Sequence, residues 1–133
     1  MLSQTDTLIT VLIIGNHEFL NRSLQDAISL YSDIEIVKGV AGFEDAIIIA
    51  ATRQPNVILI DLLIDEMENL TLVKQLNEAY SNIPIITMSG FPTDETVSTL
   101  LNNGVKHNIT RGDSPETIVD VIRRVYQESE ESR

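Results

Sequence analysis

Apolar and polar residues fall in alternating blocks along this chain, and the period changes from block to block. Leu8-Ile9-Thr10-Val11-Leu12-Ile13-Ile14 is almost continuously apolar and rich in β-branched residues, and it stops at Gly15-Asn16. Such a run reads as a strand buried on both faces. Leu20, Leu24, Ala27, Ile28 and Tyr31 then recur at helical spacing, which predicts a helix over about Phe19 to Tyr31, broken by Ser32-Asp33. Ile34 to Val40 alternates for part of its length, as an edge strand does. After the turn at Ala41-Gly42, Ala46, Ile47, Ile49, Ala50 and Ala51 predict a second helix over Phe43 to Arg53, closed by Pro55.

The second half repeats the scheme. Val57-Ile58-Leu59-Ile60 is an apolar run that leads straight into Asp61. Leu72, Val73, Leu76 and Ala79 predict a third helix over Asn69 to Ala79, and Pro84 to Met88 a fourth strand with its Pro at the tolerant first position. Thr93 to Asn103 is a helix with a thin apolar stripe (Val97, Leu100, Leu101), and Gly104 suits its C′ position. Val105 to Ile109 is a short fifth strand. Ser114-Pro115-Glu116 is a helix start, and Ile118, Val119, Ile122 and Val125 carry that last helix to about Gln127.

Strands that alternate with helices imply a parallel sheet covered on both faces by right-handed crossovers. The expected fold class is therefore α/β, a doubly wound five-stranded parallel sheet with five helices and strand order 2-1-3-4-5. The chain has 133 residues, enough for one domain with a sizeable core. We divide it into an N-terminal extension (1–8), the folded domain (9–127) and an acidic tail or start of a linker (128–133).

Composition narrows the function. There is no Cys, so disulfides and thiolate metal sites are excluded. The net charge of −11 argues against direct contact with nucleic acid, because phosphates call for Lys and Arg. The sequence shows neither a signal peptide nor an apolar stretch long enough to span a membrane, so a cytoplasmic protein is expected. There is no Gly-rich phosphate loop after strand one, and Ser89 lies outside any nucleophile-elbow pattern. His17 and His107 are isolated and read as surface or packing residues.

Asp61 is the charge that cannot belong to the core. At the tip of a buried strand it must emerge at the sheet's carboxyl edge, where such folds place their chemistry. An Asp there serves equally well to close a loop; its companions decide. Gly15 and Asn16 follow strand one, Thr87 and Met88 end strand four, and Thr110 and Arg111 follow strand five. One carboxylate, one hydroxyl, one amide and one guanidinium are thus expected to face a common crevice.

With its strand order, the Asp after strand three, the Thr at strand four and the basic residue after strand five, the chain resembles the receiver domains of bacterial two-component response regulators, which share the flavodoxin-like fold. The resemblance runs from about Thr10 to Tyr126. Gly15-Asn16-His17, the segment Tyr31 to Val37 and Asp113-Ser114-Pro115-Glu116 look most like the branch whose receivers precede a helix-turn-helix domain. The resemblance implies Asp61 as the phosphoacceptor equivalent and Thr87 as the switch hydroxyl. It also puts the family's Mg²⁺-holding acidic pair on Gly15 and Asn16, its Lys on Arg111, and its aromatic switch residue on Asn108. The loop after the Asp reads Ile64-Asp65-Glu66-Met67-Glu68-Asn69.

These departures have physical consequences. Phosphoryl transfer to a carboxylate needs a cation to neutralise the incoming oxygens, and Mg²⁺ gains most from anionic ligands. Gly15 offers no side chain and Asn16 only a neutral amide. Asp65, Glu66 and Glu68 read as a solvated acidic face. Arg111, a planar fork suited to carboxylates, has Asp61 as its obvious partner. Asn108 has no ring to bury.

The expectation is a degenerate receiver that signals through protein contacts, with no catalytic residue, no metal site and weak or absent Mg²⁺ binding, and that forms the regulatory half of a transcription factor. The alternatives are a conventional receiver phosphorylated on Asp61 by a histidine kinase and, in another class, a small-molecule sensor using the altered crevice. The partner is expected to be a protein: a kinase, an output domain or a second copy. The fourth helix, fifth strand and last helix are the expected contact surface, with Val121 as a candidate on it.

Overall fold

The computed structural model describes residues 8–15, 18–40, 43–62, 66–90 and 93–132, with the side chains of 18–21, 38–40, 43–46 and 66–69 left outside that description. Most of the expected N-terminal extension, together with Asn16, His17 and Asp65 and the side chains of Glu66 and Glu68, therefore lies outside the described residues. The elements follow the predicted alternation: β1 Ile9–Ile14, α1 Glu18–Ile28, β2 Ile34–Val40, α2 Phe43–Arg53, β3 Val57–Leu62, α3 Glu66–Ala79, β4 Ile85–Ser89, α4 Asp94–Asn102, β5 Val105–Thr110 and α5 Pro115–Glu131.

All pairings are parallel and the strand order is β2-β1-β3-β4-β5, as expected. Strand residues alternate between two cores. Val11, Ile13, Val57, Leu59, Ile86, Met88 and Ile109 pack against Ile28 of α1 and Ile118, Val119 and Ile122 of α5. Leu12, Ile14, Ile58, Ile60 and Ile85 pack against Ala50 of α2, Val73 and Leu76 of α3, and Leu100 of α4. Being covered on both sides is why β1 and β3 are nearly all apolar. Asn56 fixes the entry to β3: its side-chain Oδ1 accepts from Thr10 N (2.9 Å) and Thr10 Oγ1 (3.0 Å).

Local signals set most boundaries. Thr93 caps α4 by accepting from Thr96 N (3.1 Å), and Ser114 caps α5 by accepting from Thr117 N (3.1 Å), with Pro115 at the first turn. Gly104 takes φ +102° just beyond the α4 C-cap Asn103, a conformation that favours glycine. Among the helices, three boundaries differ most from expectation. Helix α1 stops at Ile28, and Tyr31 N bonds back to Ile28 O (3.0 Å) in a turn that leaves Leu30 outside the core. Helix α3 begins at Glu66, taking in part of the acidic stretch; acidic residues in a first turn suit the positive end of the helix dipole. Helix α5 continues beyond Gln127 through Glu128-Ser129-Glu130-Glu131, expected as tail or linker, because Glu is a good helix former.

The expected contact surface is also corrected. Val121 is buried, 5% exposed, and joins Ile118, Val119, Ile122 and Val125 on the inward stripe of α5. Of the apolar residues of α4, only Leu101 is exposed. That face therefore offers no continuous apolar patch among the described residues.

One ion pair fastens α5 to the loop between α1 and β2. Arg123 donates from Nε to Asp33 Oδ2 (2.8 Å) and from Nη2 to Oδ1 (2.9 Å), and its guanidinium lies 5.6 Å from the centre of the Tyr31 ring. The hydrogen bond from Arg123 holds the Asp33 carboxyl below its usual range.

Because the folded-state pKa of Asp33 is depressed, the pair contributes stability at neutral pH that is lost as pH falls through that value, starting from about pH 4. Asp33→Asn is therefore less stable than the native protein in urea melts at pH 7, and the gap narrows steadily as the pH falls below about 4; a gap that does not narrow on acidification contradicts the assignment. Val121→Glu abolishes folding instead of weakening self-association, and Val121→Ala costs about 2 kcal/mol in the same assay.

Candidate functional site

Asp61 is the fifth residue of β3, after four fully buried ones, and its side chain is 10% exposed. It pairs in register with Met88 of β4, which pairs with Ile109 of β5. Paired residues of parallel strands point to the same face, so Asp61 belongs to the side covered by α1 and α5. Arg111 lies two residues beyond Ile109 and shares that side. Its backbone N donates to Ser89 O (2.7 Å), which fixes the end of β5 against the end of β4. Its Nη2 donates to Asp61 Oδ1 and to Leu62 O (3.3 Å). The expected pairing of Arg111 with Asp61 is present. Arg111 Nε is buried and has no hydrogen-bond partner among the described residues.

Gly15 follows β1 at the same edge and is buried. It presents no side-chain ligand, and Asn16 lies outside the described residues. Beside the ion pair runs a cleft of about 220 Å³ between α1 and the start of α5, lined by Leu24, Ala27, Met88 and Ile118 as well as by Asp61 and Arg111.

Thr87 does not face Asp61. It pairs with Ile60 and Asn108, one step down the strand, and so points to the opposite side, towards α4. It is fully buried, and its Oγ1 donates to Asn108 Oδ1 (2.6 Å). Asn108 Nδ2 donates in turn to Ser89 Oγ (3.0 Å). The single crevice expected from the sequence is thus two sites on two faces of one sheet: Asp61 with Arg111, and Thr87 with Asn108 and Ser89. The physical reason is the two-residue period of a strand, which sends neighbouring positions to opposite sides.

Ser89 is the residue that sequence reasoning missed. It ends β4, pairs with Leu62 and is 8% exposed. Thr87 lies two residues deeper, roughly 7 Å from the edge at about 3.3 Å per residue. The hydroxyl at the carboxyl edge of β4 is therefore that of Ser89. The signal available was the Ser89-Gly90 pair, in which the glycine marks where the strand turns and the serine its last residue.

His107 is half-buried on β5, and burial followed by the nearby charge of Arg124 lowers its pKa from the usual imidazole range. It makes no contact with Asp61 or Arg111 in the described hydrogen-bond network and fits the packing role expected of it.

Comparison with known proteins agrees with this architecture. The family model for the response regulator receiver domain matches residues 11–123. The response regulator protein VraR of Staphylococcus epidermidis is 30% identical over 119 residues, covering 90% of this chain and 57% of that protein. The chain thus spans a little over half the length of the curated relatives it matches. Among solved structures, a CheY-like receiver domain protein from Methanospirillum hungatei superposes with a TM-score of 0.83 at 18% identity, covering 96% of this chain and all of the other. A DNA-binding response regulator of the LuxR family from Staphylococcus aureus gives 0.79 at 23% identity, over 90% and 99% of the two chains.

The polar network on the α4 side yields a stability test. Asn108→Ala leaves the buried Thr87 hydroxyl without its acceptor and costs about 1–3 kcal/mol. Replacing both partners with apolar groups of similar shape, Thr87→Val with Asn108→Leu, removes the orphaned hydroxyl and costs less than Asn108→Ala alone. Urea melts of the two variants check the order, and the reverse order shows that the Thr87–Asn108 bond is not made in solution.

Proposed function

The chain belongs to the response regulator receiver domain family, and within that family we propose that it is a degenerate receiver, one that signals through protein contacts without Mg²⁺-dependent phosphorylation of Asp61. Receiver domains are signalling modules and not enzymes. The observation that carries the finer reading is the pairing of Arg111 with Asp61.

An attacking carboxylate must offer an oxygen to the incoming phosphorus while a cation gathers the transferring oxygens. Here one oxygen of Asp61 accepts a charge-assisted hydrogen bond from a guanidinium, which holds it in a fixed direction. The residues described around it do not fit a divalent ion: one carboxylate already compensated, and a glycine on the neighbouring strand. Arg111 acts as a resident cation in place of a metal. Gly15 and Asn16 stand where the family keeps its acids, and neither is acidic.

In the rest of the switch the edge hydroxyl is kept and the aromatic position is altered. The family's edge hydroxyl is supplied by Ser89 in place of Thr87, and its aromatic residue by Asn108, which is bonded to both hydroxyls. An amide held between two buried hydroxyls has little to gain from rotating outward, since Thr87 would be left unsatisfied. The module accordingly keeps one arrangement on the α4 side.

Its partners on this reading are proteins: a kinase, an output domain or a second copy. The likeness to VraR and to a LuxR-family DNA-binding regulator supports the regulatory half of a transcription factor, with this chain itself too acidic to grip nucleic acid. Among the described residues no helix is long and apolar enough to cross a membrane, which is in keeping with a cytoplasmic module. A second reading, a conventional phosphoacceptor, draws support from Asp61 standing at the carboxyl edge with the Ser89 hydroxyl close to its level.

Acetyl phosphate with Mg²⁺ separates the two. After incubation, intact-mass measurement shows the native protein unmodified. A stoichiometric phosphate adduct that disappears in Asp61→Asn would establish the conventional receiver instead.

A further inference from the structure

Arg111 and Asp61 sit on strands that are not neighbours. Arg111 follows β5, Asp61 ends β3, and β4 lies between them. The ion pair therefore bridges two strand spacings, about 9–10 Å, and passes over the tip of β4. The residue at that tip is Gly90.

Gly90 is not there for its backbone. Among the described glycines, Gly104 and Gly112 have positive φ, and Gly90 does not. An L-residue adopts its conformation without strain. What a side chain would meet is the guanidinium: a Cβ built on Gly90 falls 2.9 Å from Arg111 Nη1 and 4.0 Å from Arg111 Cζ, with no other group within 4 Å among the described residues beyond its chain neighbours. The volume that any other residue would fill is the volume Arg111 occupies.

We propose that Gly90 is a positioning residue: the gap left by its missing side chain is the passage through which Arg111 closes over Asp61, and a single methyl there unlatches the carboxylate. This rests on the reading of Arg111 as the resident cation of Asp61, and adds which residue permits it. The guanidinium is held at its Nη2 end, by Asp61 Oδ1 and Leu62 O. A push on Nη1 therefore works against those two bonds. Nothing holds Nε, which is buried without a partner among the described residues and gains water when the group swings out. Because the obstructing atom is the far end of a flexible side chain, the methyl displaces Arg111 and leaves the sheet intact.

The test is carboxylate accessibility, read by carbodiimide-driven coupling of a small amine followed by peptide mass mapping of Asp61. Native protein, Gly90→Ala, Arg111→Ala and the double variant are compared, with thermal melts to confirm folding. Gly90→Ala is expected to melt near the native temperature and to label Asp61 about tenfold faster, the factor for losing one charge-assisted hydrogen bond. The double variant is expected to label no faster than Arg111→Ala, because the methyl acts only through the guanidinium. As an independent readout, the Arg111 Nε proton in ¹⁵N-labelled protein exchanges slowly with water in the native chain and fast in Gly90→Ala.

Native-like protection of Asp61 in a folded Gly90→Ala overturns the role of Gly90 and leaves the latch standing. Equal acceleration by the methyl with and without Arg111 shows that Gly90 acts through the turn and also overturns it. So does a Gly90→Ala variant that fails to fold, since among the described residues it is the mobile end of Arg111 that stands near the new methyl. Native Asp61 that labels as fast as in Arg111→Ala overturns the latch itself, and with it the reading on which this inference rests.

Discussion

A carboxylate at the end of a strand buried on both faces must be compensated, and the kind of charge that compensates it decides what the site can do. In this chain β3 runs through four fully buried residues before Asp61, whose side chain is itself only slightly exposed. Leaving such a group unpaired is costly, because burial penalises the charged form. A divalent ion would compensate it from above and still leave room for a phosphoryl oxygen. A guanidinium anchored on β5 compensates it from the side, with a fixed direction and no exchangeable coordination position. The ends of β3, β4 and β5 are all tied into that one arrangement: Asp61 and Leu62 O receive Arg111 Nη2, Ser89 O receives Arg111 N, and Gly90 leaves the way clear.

The features legible in the sequence are those set by local chemistry. The run from Val57 to Ile60 reads as a strand whichever residues surround it, and a charge at its end can only emerge at the edge. The pairing of Asp61 with Arg111 is legible for a related reason: both follow strands at the same edge, and no acid stands at Gly15 or Asn16 to compete. The caps at Thr93 and Ser114 and the glycine at 104 are signals of a few residues each, and all three appear where those residues place them.

What was not legible depends on parity and on space between strands. Ending β4 at Met88 or at Ser89 is a difference of one residue, and both are compatible with the apolar pattern. That one residue decides which hydroxyl reaches the edge and shows that Thr87 is committed to Asn108 on the opposite face. The emptiness beside Gly90 has no local signature, because the group that fills it comes from a strand more than twenty positions on. The length of α5 fails for a different reason: Glu128 to Glu131 satisfies a solvated tail and a solvated helix equally well, and only the continuing backbone bonds, such as Ser132 N to Glu128 O (3.2 Å), distinguish them.

The two polar sites lie on opposite faces of the sheet, so the route between them is narrow. Asp61 and Arg111 touch neither Thr87 nor Asn108 in the described hydrogen-bond network. Ser89 is bonded to both sets: its carbonyl accepts from Arg111 N, and its hydroxyl accepts from Asn108 Nδ2. A displacement of Arg111 along its side chain breaks the bonds to Asp61 and Leu62 but leaves the backbone bond to Ser89 in place. Such a displacement uncovers the carboxylate without disturbing Asn108. Only a movement of the β5 backbone at Arg111 would carry through Ser89 to the α4 side. In this arrangement the state of Asp61 and the state of Asn108 are separable, because strand alternation has put them on opposite faces and, among the described hydrogen bonds, left Ser89 as the link between them.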